Sequence, residues 1–356
     1  MRTSVRFRIA LLLVAALVIV SGCAAPAPAT VERVITATPA PAQPTATPQI
    51  VEKVVKETVV VEKEVERVIT ATPEPRAKYV FLFIGDGMGV AQRNAAELYM
   101  AATQTEGKRP EDIKLVMNTF PGQGMNTTYD LTRVIPDSAS TATALSTGHK
   151  TASGVVGMNE TGEQVFTNLS EIAKAKGMKV GIISTVSIDH ATPAAFYTHV
   201  PHRDDYYGIS VALANSDYDF FGGGDIKYPT GKKKDQANVY EIAQANGFAI
   251  VRDRQEFLAL GKDAGRVWAI NPTIAGSSAM PYALDRDSNN ITLGEYVEKA
   301  AEILDNPNGF FLSVEAGKID WACHANDAAA SIHDTLELDD AVAKAVEFYE
   351  AHPDET

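Results

Sequence analysis

The sequence predicts an α/β fold, with a largely parallel central sheet flanked by helices on both faces. The apolar run Tyr79–Ile84 is continuous rather than alternating, as a strand buried on both faces requires, and Gly309–Val314 (GFFLSV) reads as a further strand. Helical and strand patterns alternate from about residue 78 onward. Polar residues follow several strands directly, where sheets of this class place their sites.

The elements can be taken in order. The strand Tyr79–Ile84 runs into Gly85-Asp86-Gly87-Met88-Gly89, and a helical pattern extends from Val90 to about Ala102. These glycines let the backbone bend and a ligand approach, but their spacing is not G-x-G-x-x-G, so a dinucleotide turn is set aside. Pro136-Asp137-Ser138 then opens a run of small residues that stops at Gly148, a natural helix end. Ser138 thus lies in the first turn, where free N–H groups and the helix dipole favour an anion. An ordinary Asp/Ser cap would read the same way.

Asn168–Lys176 is expected as a helix, Lys179–Thr185 as a strand, Tyr206–Ala214 as a helix and Tyr218–Phe221 as a strand. Val239–Asn246 follows as a helix and Ala249–Val251 as a short strand. Tyr296–Leu304 is a helix, Gly309–Val314 a strand and Thr335–Ala351 a long amphipathic helix. Gly261–Gly294 reads as irregular surface loops, and Trp268 within it as simple packing.

The chain has 356 residues, of which 45% are hydrophobic and 22% charged, so one large core is within reach. A net charge of -13 argues against a nucleic-acid surface while leaving room for a local cationic site. The two cysteines, Cys23 and Cys323, have separate explanations, so no disulfide framework is expected.

Three segments are expected. Residues 1–23 form a signal: Arg2, Arg6 and Arg8 precede the apolar run Ile9–Val20, and Ser21-Gly22-Cys23 resembles a bacterial lipobox, with Cys23 lipidated. Residues 24–77 form a Pro/Ala/Thr/Val-rich tether in which VERVITATPAP at 31–41 returns as VERVITATPEP at 65–75. Residues 78–356 form the folded domain, placed outside the cytoplasm and tied to a membrane.

Two more strand ends carry chemistry. Ser187-Ile188-Asp189-His190-Ala191-Thr192 follows one strand, with His199 and Arg203 further on. Glu315, Asp320 and His324 follow another, and Asp320 and His324 share a helical face at i,i+4. Histidine with carboxylate suits zinc, and carboxylates with Thr192 suit magnesium. Asp137, Asp189 and His199 serve equally well as caps or hydrogen-bonding groups, and Cys323 as a small buried thiol.

Together these segments resemble the alkaline phosphatase family from about Lys78 onward: FIGDGMG, IPDSASTAT, HATPAAFYTHVPHR and VEAGKIDWACH occur in the family's order. The resemblance implies hydrolysis of phosphate monoesters through a phosphoserine on Ser138, with Arg203 clamping two phosphate oxygens. It implies two zinc ions and one magnesium held by Asp86, Ser138, Thr192, Glu315, Asp320 and His324, and commonly a homodimer. His190 and Trp321 stand where some members carry aspartate and lysine, so they are candidates for a third metal site or its surroundings. Rival readings are a phosphodiesterase or sulfatase of the same superfamily, and a non-catalytic tethered lipoprotein that binds phosphate or metal.

In the family, a further strand ending in an adjacent Asp-His pair follows the long helix, and a later histidine completes the first zinc. Thr356 precedes both in this sequence. The expectation is a fragment with an unpaired sheet edge, weak zinc binding and little or no phosphatase activity. Turnover of p-nitrophenyl phosphate by this polypeptide with added zinc and magnesium checks it, and robust metal-dependent turnover overturns it.

Overall fold

The computed structural model describes residues 77–103 and 112–356. The expected signal, the lipidation at Cys23 and the tether lie outside them.

β1 (Tyr79–Gly85) and α1 (Val90–Thr103) open the fold. The helix α2 (Ser138–Thr147) comes next. Then follow α3 (Leu169–Ala175), β2 (Lys179–Ser184), α4 (Ala191–Ala194), α5 (Tyr206–Asn215) and β3 (Phe220–Gly223). α6 (Val239–Ala245), β4 (Phe248–Val251), α7 (Arg254–Leu258) and β5 (Arg266–Ile270) continue the alternation. The chain goes on through α8 (Leu293–Leu304), β6 (Phe310–Ala316), α9 (Lys318–His324) and α10 (Ala328–Ala351).

The six strands form one sheet in the order β1-β6-β2-β3-β5-β4, and every pairing is parallel. Side chains alternate across it, so neighbours in sequence enter different layers. Ile182, Phe221, Trp268 and Ile270 face one layer, closed by Ile209 and Leu213 of α5 and Val239 and Ala243 of α6. Ile183, Phe220, Val267 and Leu312 face the other, closed by Tyr296 and Val297 of α8 and Leu338 and Ala341 of α10. Two helix starts are fixed by reciprocal capping boxes, Asn168 with Glu171 and Thr292 with Glu295.

Three expectations need correction. The stretch 261–294 is not simply loops: Arg266–Ile270 is β5, paired on both sides, and Trp268 is fully buried in the core. The long helix begins at Ala328 rather than Thr335, because Asp327 caps it by accepting from the Ala330 N–H. The apolar strand β1 lies at an edge of the sheet and is half-buried beyond Tyr79, because β6 alone pairs with it among the described residues.

The layer under α8 and α10 is anchored by aromatic packing. Phe310, fully buried, lies 5.0 Å from the Tyr79 ring, 5.1 Å from Phe81 and 5.5 Å from Phe348. Phe310→Ala is expected to cost about 3–5 kcal/mol, the usual range for emptying such a position. Urea unfolding measures this, and a loss below about 1 kcal/mol would show that the cluster collapses to fill the void.

Candidate functional site

Ser138 is the first residue of α2, as its sequence setting predicts. The Asp137 side chain accepts from the Ser140 N–H at 3.0 Å, and Gly148 closes the helix with φ 76°. The small residues have a packing reason. Ala139 and Ala142 are buried in the layer that also takes Ala191 and Ala194 of α4, and α2 packs directly on that short helix. The Ser138 hydroxyl donates to Asp86 Oδ2 at 2.9 Å, joining the helix start to the end of β1.

The turn after β1 tolerates only glycine at position 87. Its φ is +64°, and a Cβ there would lie 2.7 Å from Asp320 Oδ1. Gly87 therefore brings the end of β1 against α9. On α9, Asp320 Oδ1 and His324 Nε2 are 3.5 Å apart, with the imidazole exposed, so the expected shared face exists.

Arg203 is held before any anion arrives. One Nη donates to Asp137 Oδ2 at 2.9 Å, and the other meets His190 Nε2 at 3.0 Å. His190 Nε2 accepts there, which leaves the proton on Nδ1, a buried atom with no hydrogen-bond partner. Burial, then the nearby Arg203 and Lys227 charges, push the His190 pKa down to about 3, so the ring is neutral. Trp321 packs edge-on against His190 with ring centroids 6.0 Å apart. Burial opposes ionisation of Asp137, but the Ser140 N–H, Arg203 and the Gly154 N–H hold its carboxyl below the ordinary value.

Glu315 ends β6 with only 1% of its surface exposed, and Ser184 of β2 donates to its Oε2. The Thr192 hydroxyl is close enough to favour the charged form of Glu315. Yet Thr192 Oγ1 and Glu315 Oε1 complete no hydrogen bond of ordinary geometry. Burial and the Asp86 charge push Glu315 up to about 8, while burial and the Asp320 charge push Asp86 up to about 6. Mutually repelling carboxylates beside an unpartnered hydroxyl form a donor set suited to a hard cation.

The candidate ligands thus arrive as three pairs: Asp86 with Ser138, Thr192 with Glu315, and Asp320 with His324. Among the described residues no three His, Cys, Asp or Glu side chains gather into a group able to hold a metal ion.

Asp189 and His199 keep their default roles. Asp189 accepts from the Lys227 N–H, and His199 bridges the Gly157 carbonyl and Glu171. Cys323 is half-buried, and its sulfur accepts from Gln92. Sequence reasoning missed Asp130, which braces α2 and its neighbouring loop by accepting from the Thr132 and Arg133 N–H groups and from Ser140 and Ser153. Its signal is the Asx-turn pattern Asp-x-Thr.

The raised carboxyls make stability depend on pH. Glu315, ordinarily near 4.5, keeps in the folded chain a proton that the unfolded chain has already released. Its stabilising contribution is therefore complete below the ordinary value and is lost as pH rises through about 8. His190 works in the opposite sense, but above its ordinary value of 6.5 it is neutral in both states and drops out. The Tm of EDTA-treated chain should fall between about pH 6.5 and 8.5. Added magnesium should restore it at the upper end, and Glu315→Gln should flatten the slope. A Tm that rises over this window, or a slope unchanged in the variant, contradicts this account.

The model of the family described as alkaline phosphatase matches residues 77–356. The tissue-nonspecific alkaline phosphatase of Rattus norvegicus is 31% identical, over 76% of this chain and 60% of its own length. An alkaline phosphatase of Gadus morhua is also 31% identical, over 76% of this chain and 65% of its own length. The chain thus spans about 60% of the length of the tissue-nonspecific relatives it matches. Among solved structures, alkaline phosphatase from the Antarctic bacterium TAB5 superposes with a TM-score of 0.66 at 29% identity, over 78% of this chain and 76% of that one. A His-to-Glu variant of the TAB5 enzyme, with Mg bound in its M3 site, gives the same TM-score and identity over 78% and 75%. With its fold, its motifs and the family match all covering the same residues, the chain belongs to the alkaline phosphatase family.

Proposed function

We propose that this protein hydrolyses phosphate monoesters with Ser138 as nucleophile and Arg203 as phosphate clamp. One observation carries the reading. A serine hydroxyl at a helix start donates to a half-buried carboxylate, while the residue that caps the same helix grips an arginine. A cap alone needs neither partner.

Asp86 Oδ2 orients the Ser138 proton away from the oxygen lone pair that attacks phosphorus. The free N–H groups of the first turn of α2 and the Arg203 guanidinium receive the phosphoryl oxygens, the guanidinium through two parallel N–H groups. The new bond joins Ser138 Oγ to phosphorus as the ester P–O bond breaks and the alcohol leaves with a proton. Water then attacks the phosphoserine, returning Ser138 and releasing inorganic phosphate. Asp86, Ser138, Thr192, Glu315, Asp320 and His324 would hold the metals, two zinc and one magnesium by family likeness. When bound there, such ions supply a lowered serine pKa and neutralise charge on the leaving oxygen. His190, neutral and braced on Trp321, keeps Arg203 in place without adding charge.

The reaction is proposed to run outside the cytoplasm on a chain anchored through lipidated Cys23, a reading supported by the apolar run Ile9–Val20 and Ser21-Gly22-Cys23. Homodimer formation is proposed on family likeness alone.

The chain is mixed with p-nitrophenyl phosphate, zinc and magnesium, quenched in acid and digested. Phosphate is expected on the peptide carrying Ser138. Ser138→Ala should retain none, and whatever hydrolysis the chain performs should fall in the variant by roughly a thousandfold or more in kcat, the scale for removing a nucleophile. Phosphate on another residue, or undiminished hydrolysis by the variant, defeats the reading.

A further inference from the structure

A cleft of about 430 Å³ opens beside the site on the α9 side. Gly276, Ser277, Tyr282, Asp285, Lys318 and Trp321 line it. Its volume lies within the range of about 300–1,000 Å³ usual for small-molecule sites. Trp321 is the dividing wall, since its ring packs on His190, which in turn holds Arg203. A group in the cleft is therefore separated from the proposed phosphate clamp by one imidazole and one indole.

The contents of the cleft are unusual. Lys318 is only 4% exposed, and its ammonium lies 3.6 Å from the centroid of Tyr282 and 5.0 Å from that of Trp321. Among the described residues it makes no ion pair or hydrogen bond through Nζ, so its contacts are with the two ring faces. Burial lowers its pKa. The rim is fixed rather than loose. Ser277 and Ser278 both hold left-handed backbone, at φ 59° and 60°, a conformation uncommon for residues other than glycine. Ser278 is tied down by the Asp225 N–H at 2.8 Å, and Met280 by the Thr185 carbonyl at 2.9 Å. Gly276 faces open space, with no atom within 4 Å of where a Cβ would stand.

We propose that this cleft is a binding site for a planar aromatic ring, which packs against Trp321 and Tyr282 and meets Lys318 and Asp285 with its polar edge. The proposal goes beyond the phosphatase reading, since Trp321 and His190 stand between this cleft and Arg203. An aliphatic polyol would gain little from two ring faces. A second phosphate would be drawn to Lys318 but repelled by Asp285, which lines the same space. A neutral ring with donors and acceptors on its edge satisfies both charges, and every such ring has a π-face to offer.

The two tryptophans make this measurable without turnover. Trp268 is fully buried in the core, so an added small molecule in the cleft reaches Trp321 alone. Tryptophan emission of the full chain is titrated with adenosine and with phenol, neither carrying phosphate, and with ribose and glycerol as aliphatic controls. Saturable quenching by both ring probes and none by the controls is expected. Tyr282→Ala should raise the half-saturating concentration about tenfold, as loss of one stacking face does. Gly276→Leu, whose side chain enters open space, should block the cleft and abolish saturation, and circular dichroism checks that both variants are folded. Quenching that never saturates, an equal response to glycerol, or half-saturation unchanged in both variants overturns the proposal. Because the probes carry no phosphate, a missing phosphoserine at Ser138 would count against the proposed reaction and leave the ring site standing.

Discussion

The register of β1, β6 and β2 decides where charge can stand in this molecule. Ile84 lies opposite Glu315 in one ladder and Ser184 lies opposite it in the next. Parallel pairing sends all these strand ends to one edge of the sheet, so Asp86, Glu315 and Thr185 emerge side by side. A slip of one residue in the β2–β6 ladder would turn Glu315 to the other face and separate it from Ser184. The apolar sequence of β1 and the largely apolar one of β6 set the element type, while the helices packed on the flanking layers set the register.

Charge at that edge is concentrated against the overall trend of the chain. A net charge of -13 repels phosphate at long range, and several acidic groups crowd the very place an anion must reach. The local answer is a fixed guanidinium beside a helix start, with a neutral histidine behind it. Each raised carboxyl reflects the same crowding: ionising one makes ionising its neighbour harder, and cations relieve the set as a whole.

Much of the architecture was legible in the sequence because strong local signals agreed. The helix α2 was bounded by its cap and by Gly148, and the strands β2 and β6 by their apolar runs. β5 escaped notice because its five residues open with a charge and follow a loop rich in charge and glycine; only pairing on both sides makes them a strand. The nucleophile, arginine and ligand candidates could be named from motifs, but their partners could not. Asp137 and Arg203 stand 66 positions apart, and Ser184 and Glu315 stand 131 apart, so nothing local announces that they touch. Lys318 shows the same limit, since its pattern reads as a helix start while its ring partner Tyr282 lies on a distant loop.

Asp137 carries two duties, capping α2 and gripping Arg203, and it performs them with separate oxygens. Oδ1 serves the cap, while Oδ2 takes the guanidinium together with the Gly154 N–H. An anion arriving at Arg203 therefore competes with an internal carboxylate and does not fill a vacancy, yet the cap need not loosen when it wins. Affinity for any phosphate is trimmed by that competition. A site built this way gives up tightness of hold in exchange for quick release of any anion that reaches it.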